Sequence, residues 1–141
     1  MNDPYDLNRF LQAQEGVYEG ALSEIENGRK RSHWMWFIFP QFEGLGSSAM
    51  SKRYAIKSVA EARAYLGHSV LGARLRTCSE ALLRLKGLSA KQIFGFPDDR
   101  KLRSCATLFA SVSHPGSVFH RLLEKYFQGE GDRVTLRLLE R

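Results

Sequence analysis

The sequence has 141 residues, of which 43% are hydrophobic and 26% are charged, with a formal net charge of +6. A chain of this length forms one ordinary domain, residues 1–141, and buries roughly 68–70% of its unfolded surface, so it needs no disulfide or metal staples. Its composition is that of a globular protein and excludes a disordered chain. Its longest apolar run falls far short of the roughly 18 residues of a membrane span, and its N-terminus is acidic and polar. We therefore expect a cytoplasmic protein without membrane contact.

Two helices are predicted before residue 28. Asp6 is placed to cap the first helix, and Gly16 interrupts it. The second helix ends at Asn27-Gly28, because glycine adopts the left-handed conformation that follows a last helical turn. The apolar positions of both helices recur every three or four residues, at Leu7, Phe10, Leu11, Tyr18, Ala21, Leu22 and Ile25.

An aromatic segment follows, Trp34-Met35-Trp36-Phe37-Ile38-Phe39, and Pro40 ends it. Every position is apolar, so the pattern predicts burial but does not decide between an extended segment and a short helix. Residues 42–48 are glycine- and serine-rich, which favours a flexible loop.

The remaining chain predicts further helices. Ser58 and Glu61 have capping-box spacing, Ser89 is placed to cap a short turn that ends at Phe94, and Asp132 is placed to cap a last helix. Between them, other helices begin near Leu71, Pro97 and Pro115. We therefore predict an all-α or mainly α fold, a compact irregular bundle of about six to eight helices. The pattern also allows a short strand or two near the aromatic segment.

Both cysteines, Cys78 and Cys105, lie on the apolar faces of predicted helices. We expect buried, reduced thiols rather than a disulfide. Because no Cys-x-x-Cys or His-x-x-x-His pair is present, we predict no metal site, and no motif indicates a cofactor.

The aromatic segment is also the first candidate for function. Packing alone accounts for its rings, but Trp34 and Trp36 would also suit a pocket wall that stacks on a planar ligand. His33 and Gln41 bracket the segment and would supply polar contacts, while Lys30 and Arg31 would meet a phosphate.

Two further segments carry candidate chemistry. Gly44-Leu45-Gly46 is either a plain loop or a turn whose amides face an anion. Asp98 and Asp99 follow Pro97, which suits the start of a helix; alternatively, one of them serves as a general base or ribose ligand while Lys101 binds a phosphate.

These segments also carry a family resemblance. The sequence resembles the bacterial domain-of-unknown-function family numbered 1810 over nearly its whole length, which implies a mostly helical single domain and no defined activity. The last third is loosely similar to the end of the NADAR superfamily, whose members act on N-glycosidic bonds of ADP-ribose-like compounds. The strings that match the 1810 family include Ser32-His33-Trp34-Met35-Trp36-Phe37-Ile38-Phe39-Pro40-Gln41, Gly44-Leu45-Gly46-Ser47-Ser48 and Pro97-Asp98-Asp99. The NADAR likeness lies in Lys101-Leu102 through Phe109, in Phe119 to Phe127 and in Thr135-Leu136.

Two hypotheses of function follow. In the first, the protein binds or processes an anionic small molecule such as a nucleotide or an ADP-ribose-like compound in an aromatic-lined pocket. Its candidate ligand-binding residues are His33, Trp34, Trp36, Gln41, Asp98, Asp99 and Lys101. In the second, it is a non-catalytic module that binds protein or nucleic acid through a basic face formed by Arg74, Arg76, Arg84 and Lys86. The sequence does not decide whether the protein is an enzyme.

Overall fold

The computed structural model describes residues 2–140 of the chain, and within them it contains ten helices and no strand. The mainly α fold predicted from the sequence is therefore confirmed. In order, the helices are α1 (Asn8–Gln14), α2 (Tyr18–Glu26), α3 (Met35–Ile38), α4 (Ala49–Arg53), α5 (Val59–Gly67), α6 (Leu71–Arg84), α7 (Ala90–Phe94), α8 (Asp98–Ala110), α9 (Val118–Phe127) and α10 (Arg133–Leu139). None of the helices in the described part of the chain is long and apolar enough to cross a membrane.

Helix α8 lies at the centre of the core. Residues 104–110 of α8 are all buried, and the helix packs against α5, α7, α9 and α10. Cys105 on α8 and Cys78 on α6 are both buried free thiols, as predicted. Burial raises the pKa of the Cys78 thiol to about 12, so both cysteines act as small apolar core residues rather than as nucleophiles.

The cap of α1 differs from the prediction. Asp6 has a φ of 51° and does not cap the helix; instead, the carboxylate of Asp3 accepts hydrogen bonds from the amides of Leu7 (2.8 Å) and Asn8 (3.0 Å). These two bonds lower the pKa of Asp3. Asp3 caps the helix in place of Asp6 because a turn precedes the helix. In this turn the Asp6 amide donates to the Asp3 carbonyl, which brings the Asp3 side chain over the first helical amides.

The capping box predicted at Ser58 and Glu61 forms only in part. Ser58 Oγ accepts from the Glu61 amide at 3.0 Å, but the Glu61 carboxylate accepts from the Lys57 amide (3.1 Å) rather than reaching back to Ser58. A complete box is present at Ser89 and Gln92, with bonds of 2.8 and 3.1 Å. Asp132 caps α10 as predicted, since its carboxylate accepts from the Thr135 amide at 2.9 Å.

Glu61 does not complete the capping box because its carboxylate forms a buried ion pair with Arg9. The guanidinium Nη2 of Arg9 lies 2.7 Å from Glu61 Oε2, and the two side chains are only 6% and 2% exposed. The other four N–H groups of Arg9 donate to main-chain carbonyls at 2.7–2.8 Å, so all five donors are used. The carbonyls belong to Tyr5, Asp6, Arg53 and Ala55.

Substitution of Arg9 tests how far the fold depends on this pair. Arg9→Met would leave Glu61 buried without its cation and four carbonyls without their donor, so we expect a loss of roughly 3–5 kcal/mol in the free energy of unfolding. Urea denaturation measures the loss. The matched control is Arg63→Met, because Arg63 is exposed on α5 and should change stability by no more than about 0.5 kcal/mol. Equal losses for the two variants would contradict the prediction.

Candidate ligand-binding site

The aromatic segment is a single helical turn rather than an extended strand. Helix α3 covers Met35–Ile38, with Trp34 before it and Phe39 after it, so Pro40 does not interrupt any helical hydrogen bond. Residues 34, 35 and 37–40 are buried, as predicted for the whole run, but Trp36 is only half-buried. The turn therefore places the two tryptophans in different environments.

Trp34 lies entirely within the core. It is 0% exposed, and its ring centroid lies 6.2 Å from that of Phe39 and 6.3 Å from that of Phe94. Its indole Nε1 donates to Glu24 Oε1 at 2.9 Å. Trp34 thus has no exposed surface on which a ligand would stack.

Glu24, on α2, holds the chain that leads into the aromatic segment. Its carboxylate accepts from the amides of Arg31 (2.7 Å) and Ser32 (2.9 Å), from the Ser32 hydroxyl (2.7 Å) and from the Trp34 indole. Desolvation opposes ionisation of this carboxyl, but the four hydrogen bonds outweigh it and lower the pKa of Glu24 to about 2. No sequence motif marked Glu24, because its partners lie seven or more residues along the chain.

A charge cluster formed by Lys30, Asp98 and Lys101 lies beside the two tryptophans. Asp98 is 3.0 Å from Lys30 Nζ and 3.6 Å from Lys101 Nζ. Lys30 Nζ lies 5.0 Å from the Trp34 ring centroid, and Lys101 Nζ lies 5.4 Å from that of Trp36. The start of α8 is thus brought against the aromatic segment, and Lys101 is the cation next to the half-buried ring. The Lys30 side chain is only 8% exposed.

Trp36 and Gln41 line a small cavity together with the loop that contains Gly44 and Gly46. Its volume is about 30 Å³, which is room for a water molecule or a small polar group. Main-chain pairing holds its edge: the Ile56 amide donates to the Gln41 carbonyl and the Glu43 amide donates to the Ile56 carbonyl, both at 2.9 Å. In the described residues, this isolated parallel bridge takes the place of the short strands considered for this region.

Both glycines of the loop have a steric role. Gly44 has a φ of +102°, which L side chains rarely adopt. A Cβ on Gly46 would lie 2.5 Å from Ser51 Oγ and 2.6 Å from Ser51 Cβ, so the loop packs closely on α4. The loop therefore has a defined path, and its backbone forms one wall of the cavity.

The structure does not bring all seven candidates into one cavity. Trp36 and Gln41 line the 30 Å³ cavity, whereas His33, Asp98, Asp99 and Lys101 do not. His33 is exposed, and Asp99 is half-buried with its Oδ1 buried and without a hydrogen-bond partner among the described residues. The other side of the cavity is formed by residues outside the seven candidates, Ser51, Lys52, Tyr54 and Ala55.

Glu24 makes the stability of this region dependent on pH. Its pKa is about 2 in the folded protein against an ordinary 4.5, so its stabilising effect is complete above about pH 4.5 and is lost as the pH falls towards 2. We expect wild-type stability to fall more steeply than that of Glu24→Gln between these limits, as measured by urea unfolding at successive pH values. Glu19→Gln is the matched control, since it removes an exposed carboxylate from the same helix. Identical pH slopes for wild type and Glu24→Gln would refute the assignment.

Substitution of Gly46 tests the wall of the cavity. Gly46→Ala should displace the loop from Ser51 and lower the free energy of unfolding by about 1–3 kcal/mol. Gly20→Ala is the control, because Gly20 lies inside α2 and a Cβ added there would meet no atom within 4 Å, so alanine should add roughly 0.5–1 kcal/mol. Urea denaturation compares the two, and a Gly46→Ala protein as stable as Gly20→Ala would show that the close approach is not required.

Comparisons with known proteins agree with this architecture. Residues 4–139 match the family described as protein of unknown function DUF1810. The chain is also similar to the conserved hypothetical protein Rv1873 from Mycobacterium tuberculosis, whose crystal structure was determined at 1.38 Å: identity is 50%, 99% of each chain is covered, and the TM-score is 0.96. No match was found among curated proteins. Because the match spans almost the whole sequence, this chain belongs to the DUF1810 family.

Proposed function

We propose that the protein binds an anionic small molecule of the nucleotide or ADP-ribose kind at the surface of Trp36. The proposal rests on three features that occur together at the Trp36 ring. Trp36 is the half-buried member of an otherwise buried run, it lines a cavity with Gln41 and the glycine loop, and a lysine ammonium lies 5.4 Å from its centroid.

The ring and the cations suit the two parts of such a ligand. Stacking of a base on an aromatic side chain contributes about 1–3 kcal/mol and tolerates different bases. The charge cluster holds two lysines and one aspartate, so it retains a net charge of +1 that would attract a phosphate. Lys101 is the better phosphate ligand, because its side chain is 23% exposed against 8% for Lys30.

The size of the cavity limits the mode of binding. Pockets that enclose a ligand have volumes of about 300–1,000 Å³, whereas this cavity has about 30 Å³. The proposed ligand therefore inserts only a small polar group beside Gln41, and its ring and phosphates lie on the outer surface. Such shallow contact gives an affinity of about millimolar. We propose binding and no catalytic step. Among the ligands, ADP-ribose-like compounds rank first because of the loose likeness to the NADAR superfamily, and this ranking stays a prediction.

The alternative proposal, an interaction module with a basic face, has less support. Two of its four residues are already engaged within the fold: Arg74 donates to Gln14 Oε1 at 3.2 Å and lies 4.6 Å from the Tyr18 ring centroid, and Arg76 donates to the Leu66 carbonyl at 3.2 Å. Arg84 and Lys86 are exposed, but two cations form a small basic surface.

Because the chain has two tryptophans, we expect two indole N–H signals in its NMR spectrum. Titration with AMP and with ADP-ribose to about 5 mM should shift the Trp36 signal and leave that of buried Trp34 nearly unchanged. Lys101→Gln should weaken binding about three- to tenfold, since it removes the cation over the ring. Lys91→Gln, an exposed lysine on α7, is the control.

Two outcomes would overturn the proposal. The first is an unchanged Trp36 signal at the highest concentration of both ligands. The second is equal binding by wild type and Lys101→Gln. Salt-dependent binding of single-stranded or duplex DNA that leaves the Trp36 signal unchanged would favour the basic-face alternative.

A further inference from the structure

We propose that a groove beside the start of α9 is a second binding site, for a small molecule with an apolar body and one anionic head group. The groove has a volume of about 560 Å³, within the range of about 300–1,000 Å³ that small-molecule pockets occupy. It lies between the end of α5, the middle of α6, the α8–α9 connection and the first turn of α9. It shares no lining residue with the cavity at Trp36.

The floor of the groove is apolar. Leu66, Val118 and Phe119 are buried there, and Val112 is half-buried at the edge. A ligand that consisted only of a charged group would leave the part of this apolar lining that is still exposed in contact with water, whereas an apolar body would cover that part at about 25 cal/mol for each Å² removed from solvent.

The rim of the groove carries two arginines, of which Arg76 also donates a hydrogen bond to the Leu66 carbonyl at 3.2 Å. Arg76 projects from α6 and Arg121 from α9, and His114 lies in the connection between α8 and α9. Among residues 2–140, neither arginine has a carboxylate oxygen within 4.0 Å, although Glu80 also lines the groove. With two arginines and one glutamate, the lining has a net charge of +1 when His114 is neutral. The charge balance therefore fits a single anionic head group, whether a carboxylate or a phosphate monoester.

One wall of the groove is held in a defined shape. The Ser117 amide donates to the His114 carbonyl at 3.1 Å around the Pro115-Gly116 pair, and Gly116 has a φ of +83°, as the third residue of a type II turn requires. Ser113 Oγ donates to the Phe109 carbonyl at 2.7 Å, which ties the connection to the end of α8. Because the wall is already ordered, little entropy is lost when a ligand binds.

NMR titration of the whole chain tests the site with four probes. Phenyl phosphate and 3-phenylpropionate combine an apolar ring with an anion, inorganic phosphate has only the anion, and benzyl alcohol has only the ring. We expect the first two to shift the amide signals of the groove, those of Ser113, His114, Gly116 and Arg121, with at least tenfold lower Kd than the other two. Comparison of the first two identifies the preferred head group.

Variants of the rim test the role of charge. Arg121→Gln and Arg76→Gln should each raise the Kd of the preferred probe about tenfold, because each removes a charge-assisted contact. Arg84→Gln is the matched control, since Arg84 is exposed on α6 outside the groove lining. All three residues are exposed, and a thermal unfolding curve verifies that each variant is folded.

Three outcomes would overturn this inference. Inorganic phosphate that binds as tightly as phenyl phosphate would leave no role for the apolar floor. Groove signals that do not move with either amphipathic probe would show that there is no site. Equal affinity of wild type, Arg76→Gln and Arg121→Gln would remove the charge argument. The Trp36 indole signal reports the other site in the same spectra, so the two proposals succeed or fail separately.

Discussion

The buried guanidinium of Arg9 is the interaction on which much of this structure depends. Its five hydrogen bonds join the turn before α1, the chain at residues 53–55 and the start of α5. The carbonyls of Arg53 and Ala55 flank Tyr54, and both Tyr54 and Ala55 line the cavity beside Trp36. The Ile56 amide then pairs with the Gln41 carbonyl. A buried ion pair outside the cavity lining thus holds one side of the candidate site in place.

The aromatic segment combines a structural role and the proposed binding role within one helical turn. Residues in a helix rotate by about 100° per position, so neighbours in a short run face different directions. Trp34 faces inward and is fixed by Glu24, whereas Trp36 keeps a partly exposed surface next to Lys101. The density of aromatic residues is therefore explained mainly by packing, and the proposed function rests on one ring and its polar surroundings.

Although the net charge is positive, the basic residues do not form one broad basic surface. Several cations are used inside the fold, since Arg9 is buried, Lys30 contacts Asp98, and Arg74 donates to Gln14. The charges that remain near concave apolar surface are few and local, at Lys101 beside Trp36 and at Arg76 and Arg121 in the groove. Small anionic molecules fit such isolated charges better than a polyanion does, because a polyanion requires many simultaneous contacts.

The sequence by itself determined the features that depend on neighbours within about four residues. The helical class, the left-handed Gly28 after α2, the Ser89 cap and the Asp132 cap all follow from such local chemistry. Only the tertiary structure decided which side chains meet. Glu61 pairs with Arg9 across 52 residues of sequence, and Lys101 reaches Trp36 while His33 stays outside the cavity. These outcomes depend on how α3, α5 and α8 pack, and periodicity along a single chain contains no information about that packing.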